Sequence, residues 1–303
     1  MKILNKPIFK IFVSVVLFAF IFWKIDKFAL ISSFKLLDLR YIPLIIALLV
    51  VNYVVSSIRW KSLLIYPNTK HITVTYLTGL YFMGSFFNNF MPTSIGGDVF
   101  KVYKLGKKIG DTTNAFSATF MERFTGVMAL FLISSGALIY FLKFWGVVLF
   151  VAFWVGLIVG LFMLKFLSTK IKLVKKVYDS LMFYKGQNKV LVIALLTSFI
   201  VQFATIFTQF FVFSALGVHI PIFYALFMFP IIVLASFFIP SLNGMGVQDS
   251  LYILLFGGAT YISLFGGVSA GAAVALSASI IFHLSKLLVS LFGGILYAAG
   301  KAD

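Results

Sequence analysis

The 303 residues are 62% hydrophobic and only 11% charged, with a mean hydropathy of +1.09, which excludes a soluble domain of ordinary composition. The net charge of +17 does not signal nucleic acid, because the cations are confined to short hydrophilic segments between apolar runs, the pattern that sets membrane topology. Cysteine is absent, so disulfides, thiolate metal sites and cysteine nucleophiles are excluded; His71, His219 and His283 are too few for a histidine metal cage, and no cofactor is expected.

In chain order, apolar runs fall at 8–25, 41–58, 72–91, 115–142, 144–165, 190–217, 221–239, 250–267 and 270–299. Most are long enough to cross about 30 Å of hydrocarbon as helix. Lys2, Lys6 and Lys10 precede the first run, which ends at Trp23-Lys24-Ile25-Asp26 without a small-residue cleavage site and therefore reads as an uncleaved span with a cytoplasmic N-terminus. Lys and Arg number three in 59–70, four in 101–108, one at Lys143 and seven in 165–189. The positive-inside bias places the three richer segments in the cytoplasm and the Lys143 turn outside. Residues 24–40, with four cations on the outer side, fit that rule poorly.

Holding 59–70 and 101–108 on one side requires the chain between them to turn back, so 72–98 reads as a re-entrant hairpin or broken span. The fold expected is all-α: a polytopic integral membrane helical bundle of about eight spans with two broken or re-entrant segments, in a single transmembrane domain over 1–303. In 165–189, Leu167, Ile171, Val174, Tyr178 and Leu181 recur at helical spacing, with Lys170, Lys172, Lys175 and Lys176 elsewhere on the wheel. That pattern predicts an amphipathic interfacial helix facing anionic headgroups; a solvated basic connector is the plainer alternative.

The two breaks have a common order. Pro92, Thr93, Ser94, Gly96, Gly97 and Asp98 in the first half parallel Pro240, Ser241, Asn243, Gly244, Gly246 and Asp249 in the second: proline, hydroxyl, glycines, acid. Irregular backbone at membrane depth is tolerated where protein or a wet cavity satisfies its N–H and C=O groups, so the two segments are expected to meet at one polar site. At the first, the Gly96 and Gly97 amides head a helix whose N-terminus suits an anion such as a lipid phosphate, with Lys101 as counter-charge; Asp98, Lys101, Lys104 and Lys108 share a face. Asp98 as an N-cap would instead occupy those amides itself.

Three spans carry polar seams: Asn52, Ser56 and Arg59; Ser198, Gln202, Thr205 and Gln209; Ser279, His283, Lys286 and Ser290. Lipid offers such groups no partner, so the seams face inward, as glue between helices or as the lining of a hydrophilic cavity. Glu122, the sole glutamate, and Arg123 diverge by about 100° on their helix and need different partners. Arg123 suits bidentate phosphate binding; pairing with other side chains to lock helix packing is the alternative.

Arg59-Trp60-Lys61-Ser62-Leu63-Leu64, Pro92 to Lys101, Glu122-Arg123-Phe124-Thr125-Gly126 and Pro240 to Val247, taken in order, resemble the lysylphosphatidylglycerol synthase transmembrane-region family, also called flippase-like. The resemblance spans nearly the whole chain. It implies an inner-membrane protein that translocates phospholipids or polyprenyl-linked lipids, with membrane lipids bearing anionic headgroups as partners. In namesake members a cytosolic aminoacyl-transferase domain follows; none follows Ala302-Asp303 here, so lysine transfer is not expected. The family pattern has arginine at the place of Lys101 and Arg-Glu at the place of Gln248-Asp249, so phosphate geometry is less constrained here. Two other functions compete: a scaffold with cell-envelope protein partners, and a membrane-embedded glycosyl- or phosphotransferase with Asp98, Glu122 and Asp249 as bases. The second lacks clustered acids or a histidine near them in sequence.

Overall fold

The computed structural model describes residues 35, 37–66, 69–89, 96–238, 247–256 and 272–300. Ten α-helices run through them: α1 (Ile42–Leu63), α2 (Val74–Asn88), α3 (Gly96–Ile109), α4 (Thr112–Leu142), α5 (Phe144–Ser168), α6 (Lys172–Phe183), α7 (Asn188–Ala215), α8 (Ile222–Phe238), α9 (Val247–Phe256) and α10 (Ala272–Ala298). No strand occurs among the described residues. This all-α outcome follows from composition, since apolar segments that leave water must satisfy each peptide group within their own helix.

Five helical stretches are long and apolar enough to cross a membrane: Leu39–Leu63, Thr112–Tyr140, Phe144–Ser168, Asn188–Ala215 and Val274–Ala298. They correspond to the expected runs 41–58, 115–142, 144–165, 190–217 and 270–299. Run 221–239 forms the shorter α8, with Pro230 inside it, and 250–267 is described only where it overlaps α9. Residues 8–25 lie outside the described residues.

Local chemistry fixes the helix ends. The Thr73 hydroxyl accepts the Tyr76 amide at 3.2 Å, and the Asp111 carboxylate accepts the amides of Thr113 and Asn114 at 2.9 and 3.0 Å, so α2 and α4 begin at side-chain caps. Between α4 and α5 the chain reverses through Lys143, at φ 46°, and Gly146 lies against the Leu138 carbonyl, where a Cβ would sit 2.4 Å from the oxygen.

α2 and α3 form the expected reversal. At 15 residues α2 is about 22 Å long, short of a full crossing. The Asn88 side chain accepts the Gly97 amide at 2.6 Å, and a Cβ on Gly97 would lie 2.2 Å from the Gly84 carbonyl oxygen, so the glycine permits backbone-to-backbone approach. α10 packs on α2 in the same manner, Gly293 lying against the Phe82 carbonyl.

The three cationic segments share one end of the bundle. Leu63 and Leu64 at the end of α1, Leu77 in α2, Leu105 and Ile109 at the end of α3, Ala115 in α4 and Tyr184 after α6 join one buried cluster. The Tyr184 hydroxyl donates to the Leu63 carbonyl at 2.8 Å, and Tyr66 stacks on Phe183 with ring centroids 4.2 Å apart. At the opposite end the Asp38 amide donates to the Ala215 carbonyl at 2.8 Å, and Tyr140 stacks on Phe223. There a second cluster, with Phe213, Phe229, Tyr252 and Phe256, joins α7, α8 and α9.

The amphipathic helix of 165–189 is shorter than its periodicity implied. Leu167 belongs to α5, Ile171 is exposed, and α6 begins at Lys172. The helix packs partly on protein: Ser180 and Ser117 share a hydrogen bond of 2.9 Å, and Lys176 Nζ lies 4.3 Å from the Phe116 ring centroid, while Lys172 and Lys175 remain exposed. No residue in the most apolar stretch of α5 is buried, as in a helix solvated by lipid.

Candidate functional site: a charged cavity between the helices

The first two polar seams face each other. Asn52 Nδ2 donates to Thr205 Oγ1 at 2.8 Å and to the Val201 carbonyl at 3.0 Å; Arg59 Nη1 donates to Ser198 Oγ at 2.9 Å; Gln202 Nε2 donates to the Gly126 carbonyl at 2.9 Å. These bonds clamp α1 and α4 to α7.

Below the seams lies a buried network of five charges. Glu122 Oε1 accepts Arg59 Nη2 at 2.6 Å and also the Tyr81 hydroxyl. Lys101 Nζ stands 3.0 Å from Asp98 Oδ1 and 3.6 Å from Glu122 Oε2, and lies 3.8 Å from the Tyr81 ring centroid and 5.0 Å from that of Trp60. Arg123 grips Asp98 with both teeth of its fork, Nε to Oδ2 at 2.6 Å and Nη2 to Oδ1 at 2.9 Å. Glu122 and Arg123 do take different partners, as their divergence on the helix required. Taking such charges out of water costs several kcal/mol each, roughly offset when each meets an opposite charge and satisfied hydrogen bonds. Four of the five side chains are at most 7% exposed; that of Arg123 is 40% exposed, so it alone reaches outward.

The structure corrects the reading of the first break as an anion-receiving helix terminus. The Gly97 amide is taken by Asn88, and Lys101 is spent on two carboxylates. The basic face of α3 is also split: Lys101 is buried, whereas Lys108 is exposed over the Tyr76 ring. Arg123 serves as the partner of Asp98 in the described structure.

The network borders a cavity of about 280 Å³ to which eight helices contribute. Arg59, Gly97, Asp98, Lys101, Glu122, Arg123, Gln202 and Lys286 line it, as do Asn52, Ser56, Asn88 and Gln248. Its four cations outnumber its two carboxylates, so the walls carry an excess of positive charge. Gln248 is 7% exposed and its Oε1 has no hydrogen-bond partner, nor has Arg59 Nε. Polar atoms so placed are ready for water or a ligand.

Three expected lining residues are not lining it. Gln209 accepts the Tyr252 hydroxyl at 2.7 Å and donates to the Thr205 carbonyl at 3.3 Å, so it joins helices. Asp249 accepts the Ser279 hydroxyl at 2.5 Å, and His283 Nε2 lies 3.5 Å from the same oxygen. The third seam is therefore divided: Ser279 and His283 meet Asp249, Lys286 reaches the cavity, and Ser290 accepts Asn89 Nδ2 at 2.8 Å. Pro92, Asn243, Gly244 and Gly246 lie outside the described residues, while Gly96 is buried at the start of α3. The helices that follow the two breaks nevertheless bring Asp98 and Gln248 to the same cavity.

Sequence reasoning missed Tyr81, Trp60 and Asn88. The Asn88-Asn89 pair just before Pro92 was a readable signal, since two amides end an apolar run there; Tyr81 and Trp60 resemble ordinary core aromatics.

Next to the cavity, between α4 and α5, runs an apolar groove of about 460 Å³ lined by Phe120, Phe124, Met128, Phe153, Gly156 and Leu157. Arg123 and Val127 belong to the walls of both spaces. The groove lies on the helix that faces outward, and the cavity lies behind it.

No curated protein and no solved structure matches the chain. A family model does: the lysylphosphatidylglycerol synthase TM region matches residues 8–294. This multi-pass membrane protein, with its apolar crossing helices and the residues 8–294 so matched, belongs to the lysylphosphatidylglycerol synthase TM-region family.

Proposed function

We propose that the protein translocates a phospholipid or polyprenyl-linked lipid across the cytoplasmic membrane, holding an anionic headgroup in the cavity while the chains remain in the groove and the surrounding lipid. The observation that carries this reading is the shared wall: a positively biased polar cavity and an apolar groove meet at Arg123 and Val127. An amphiphile has this same division, and a site that receives one must solvate its charge without exposing its tails to polar walls. Arg123 suits the junction because its guanidinium has donors to spare beyond the Asp98 carboxylate and is partly exposed. On this reading no covalent bond of the lipid changes, and the protein acts by sheltering charge in transit.

The orientation proposed has the N-terminus and the cationic segments 59–70, 101–108 and 165–189 on the cytoplasmic side. Clustering of these segments at one end of the bundle supports it. The test of function is reconstitution into liposomes with trace fluorescent phosphatidylglycerol or phosphatidylcholine labelled on the headgroup side, bleached from outside by dithionite. Protein-dependent bleaching of the inner-leaflet pool, faster for phosphatidylglycerol, is expected. Bleaching no faster than in protein-free liposomes overturns the reading.

A further inference from the structure

We propose that Gln248 selects a hydroxylated headgroup: the cavity takes the phosphodiester of a small polyol, and the Gln248 amide pairs with a hydroxyl of that head. The inference rests on the reading that the cavity takes an anionic lipid headgroup, and adds the class of headgroup it takes.

Gln248 is the second residue of α9 and lines the cavity, buried, with no hydrogen bond to its Oε1 among the described residues. A buried amide oxygen without a donor is costly, so a ligand that brings a donor gains affinity there. Asn52 adds a second acceptor to the same cavity. Both N–H groups of its amide are given to α7, at the Val201 carbonyl and the Thr205 hydroxyl, so its oxygen is what it has left to offer. A hydroxyl suits the Gln248 amide in either orientation, since a hydroxyl both donates and accepts.

The walls disfavour the other common donor of a lipid head, an ammonium. The two carboxylates that line the cavity are already engaged, Asp98 by Arg123 and Lys101, Glu122 by Arg59 and the Tyr81 hydroxyl. Arg59, Lys101 and Arg123 alone outnumber those acids, so an ammonium meets like charge, whereas a phosphodiester meets the excess. A neutral hydroxyl is the donor that the amide oxygens can receive without that penalty. The volume, about 280 Å³, lies at the lower end for small-molecule sites, which suits a head the size of glycerol.

The experiment uses the full chain in phosphatidylcholine nanodiscs and three short-chain lipids: phosphatidylglycerol, phosphatidylethanolamine, and phosphatidylpropanol, which keeps the phosphodiester charge but has no hydroxyl on its head. Wild type is expected to bind phosphatidylglycerol about fivefold or more tightly than either of the others. In Gln248→Leu and Gln248→Met that preference over phosphatidylpropanol is expected to fall to within about twofold through weaker binding of phosphatidylglycerol. Phosphatidylpropanol affinity should stay at its wild-type value, which also reports an intact fold. Equal affinity of wild type for phosphatidylglycerol and phosphatidylpropanol overturns the proposal, as does phosphatidylethanolamine bound as tightly as phosphatidylglycerol. So does a preference unchanged in both variants, or an equal weakening of both anionic lipids in them. Absence of binding of either anionic lipid to wild type overturns the headgroup reading itself, as does competition by deacylated glycerophosphoglycerol as strong as that of the lipid.

Discussion

Two acid-centred regions, one lining the cavity and one beside it behind Gln248 and Lys286, are held by different groups. Around Asp98 and Glu122, three cations close on two carboxylates across α1, α3 and α4, and the Tyr81 hydroxyl fills a remaining acceptor. Around Asp249 the Ser279 hydroxyl donates at 2.5 Å and the His283 imidazole stands 3.5 Å away. The first region uses charge as architecture, because each group is committed to a partner on another helix. The second joins α9 to α10 through a hydroxyl and an imidazole.

The largest expected effect comes from breaking the frame. Glu122→Ala leaves Arg59 and Lys101 without their shared carboxylate, and should destabilise the protein by about 3–5 kcal/mol, read as a lowered midpoint of thermal unfolding in detergent. A shift no larger than that of a lipid-facing substitution would show that the five charges are not a unit. Next comes Gly97→Ala, whose methyl group would meet the Gly84 carbonyl oxygen at 2.2 Å and pry α2 from α3; a cost of about 3 kcal/mol is expected by the same assay. A smaller loss, about 1.5 kcal/mol, is expected for Ser279→Ala, which removes one hydrogen bond to a carboxylate that is 26% exposed. If Ser279→Ala costs as much as Glu122→Ala, the contrast between the regions fails. The smallest effect, within about 0.5 kcal/mol, belongs to Phe162→Leu on the outward face of α5, where the ring is 70% exposed.

Much of this architecture was legible in the sequence because helical spacing is a local property. The seams at Asn52 to Arg59 and at Ser198 to Gln209 were visible as i, i+4 patterns, and the chain reversal over 72–98 followed from where Lys and Arg lie. The partnerships were not legible. Arg123 and Asp98 are 25 residues apart and Arg59 and Glu122 are 63 apart, and a periodicity that places a side chain on an inner face does not say which inner face meets it. That gap explains why the Gly96 and Gly97 amides read from sequence as open to a phosphate, when the Gly97 amide is satisfied by Asn88 and the Asp98 carboxylate is gripped by Arg123. It also explains Gln209 and His283: polar residues on an inward seam bind a neighbouring helix or line a cavity according to what the neighbour offers, here Tyr252 and Asp249.

The most direct test of the central claim, that cavity and groove together carry an anionic lipid, is the phosphatidylglycerol translocation rate of Arg123→Gln in liposomes beside that of wild type. Glutamine keeps a hydrogen-bonding head but removes the charge and the fork at the junction of the two spaces. The substitution also takes the fork from the buried Asp98 carboxylate, which keeps Lys101, so a stability loss of about 1–3 kcal/mol is expected and the rate is taken per folded protein. The account predicts a rate lower by about tenfold or more, the equivalent of roughly 1.4 kcal/mol of lost headgroup interaction. A rate within about twofold of wild type, roughly 0.4 kcal/mol, would contradict it.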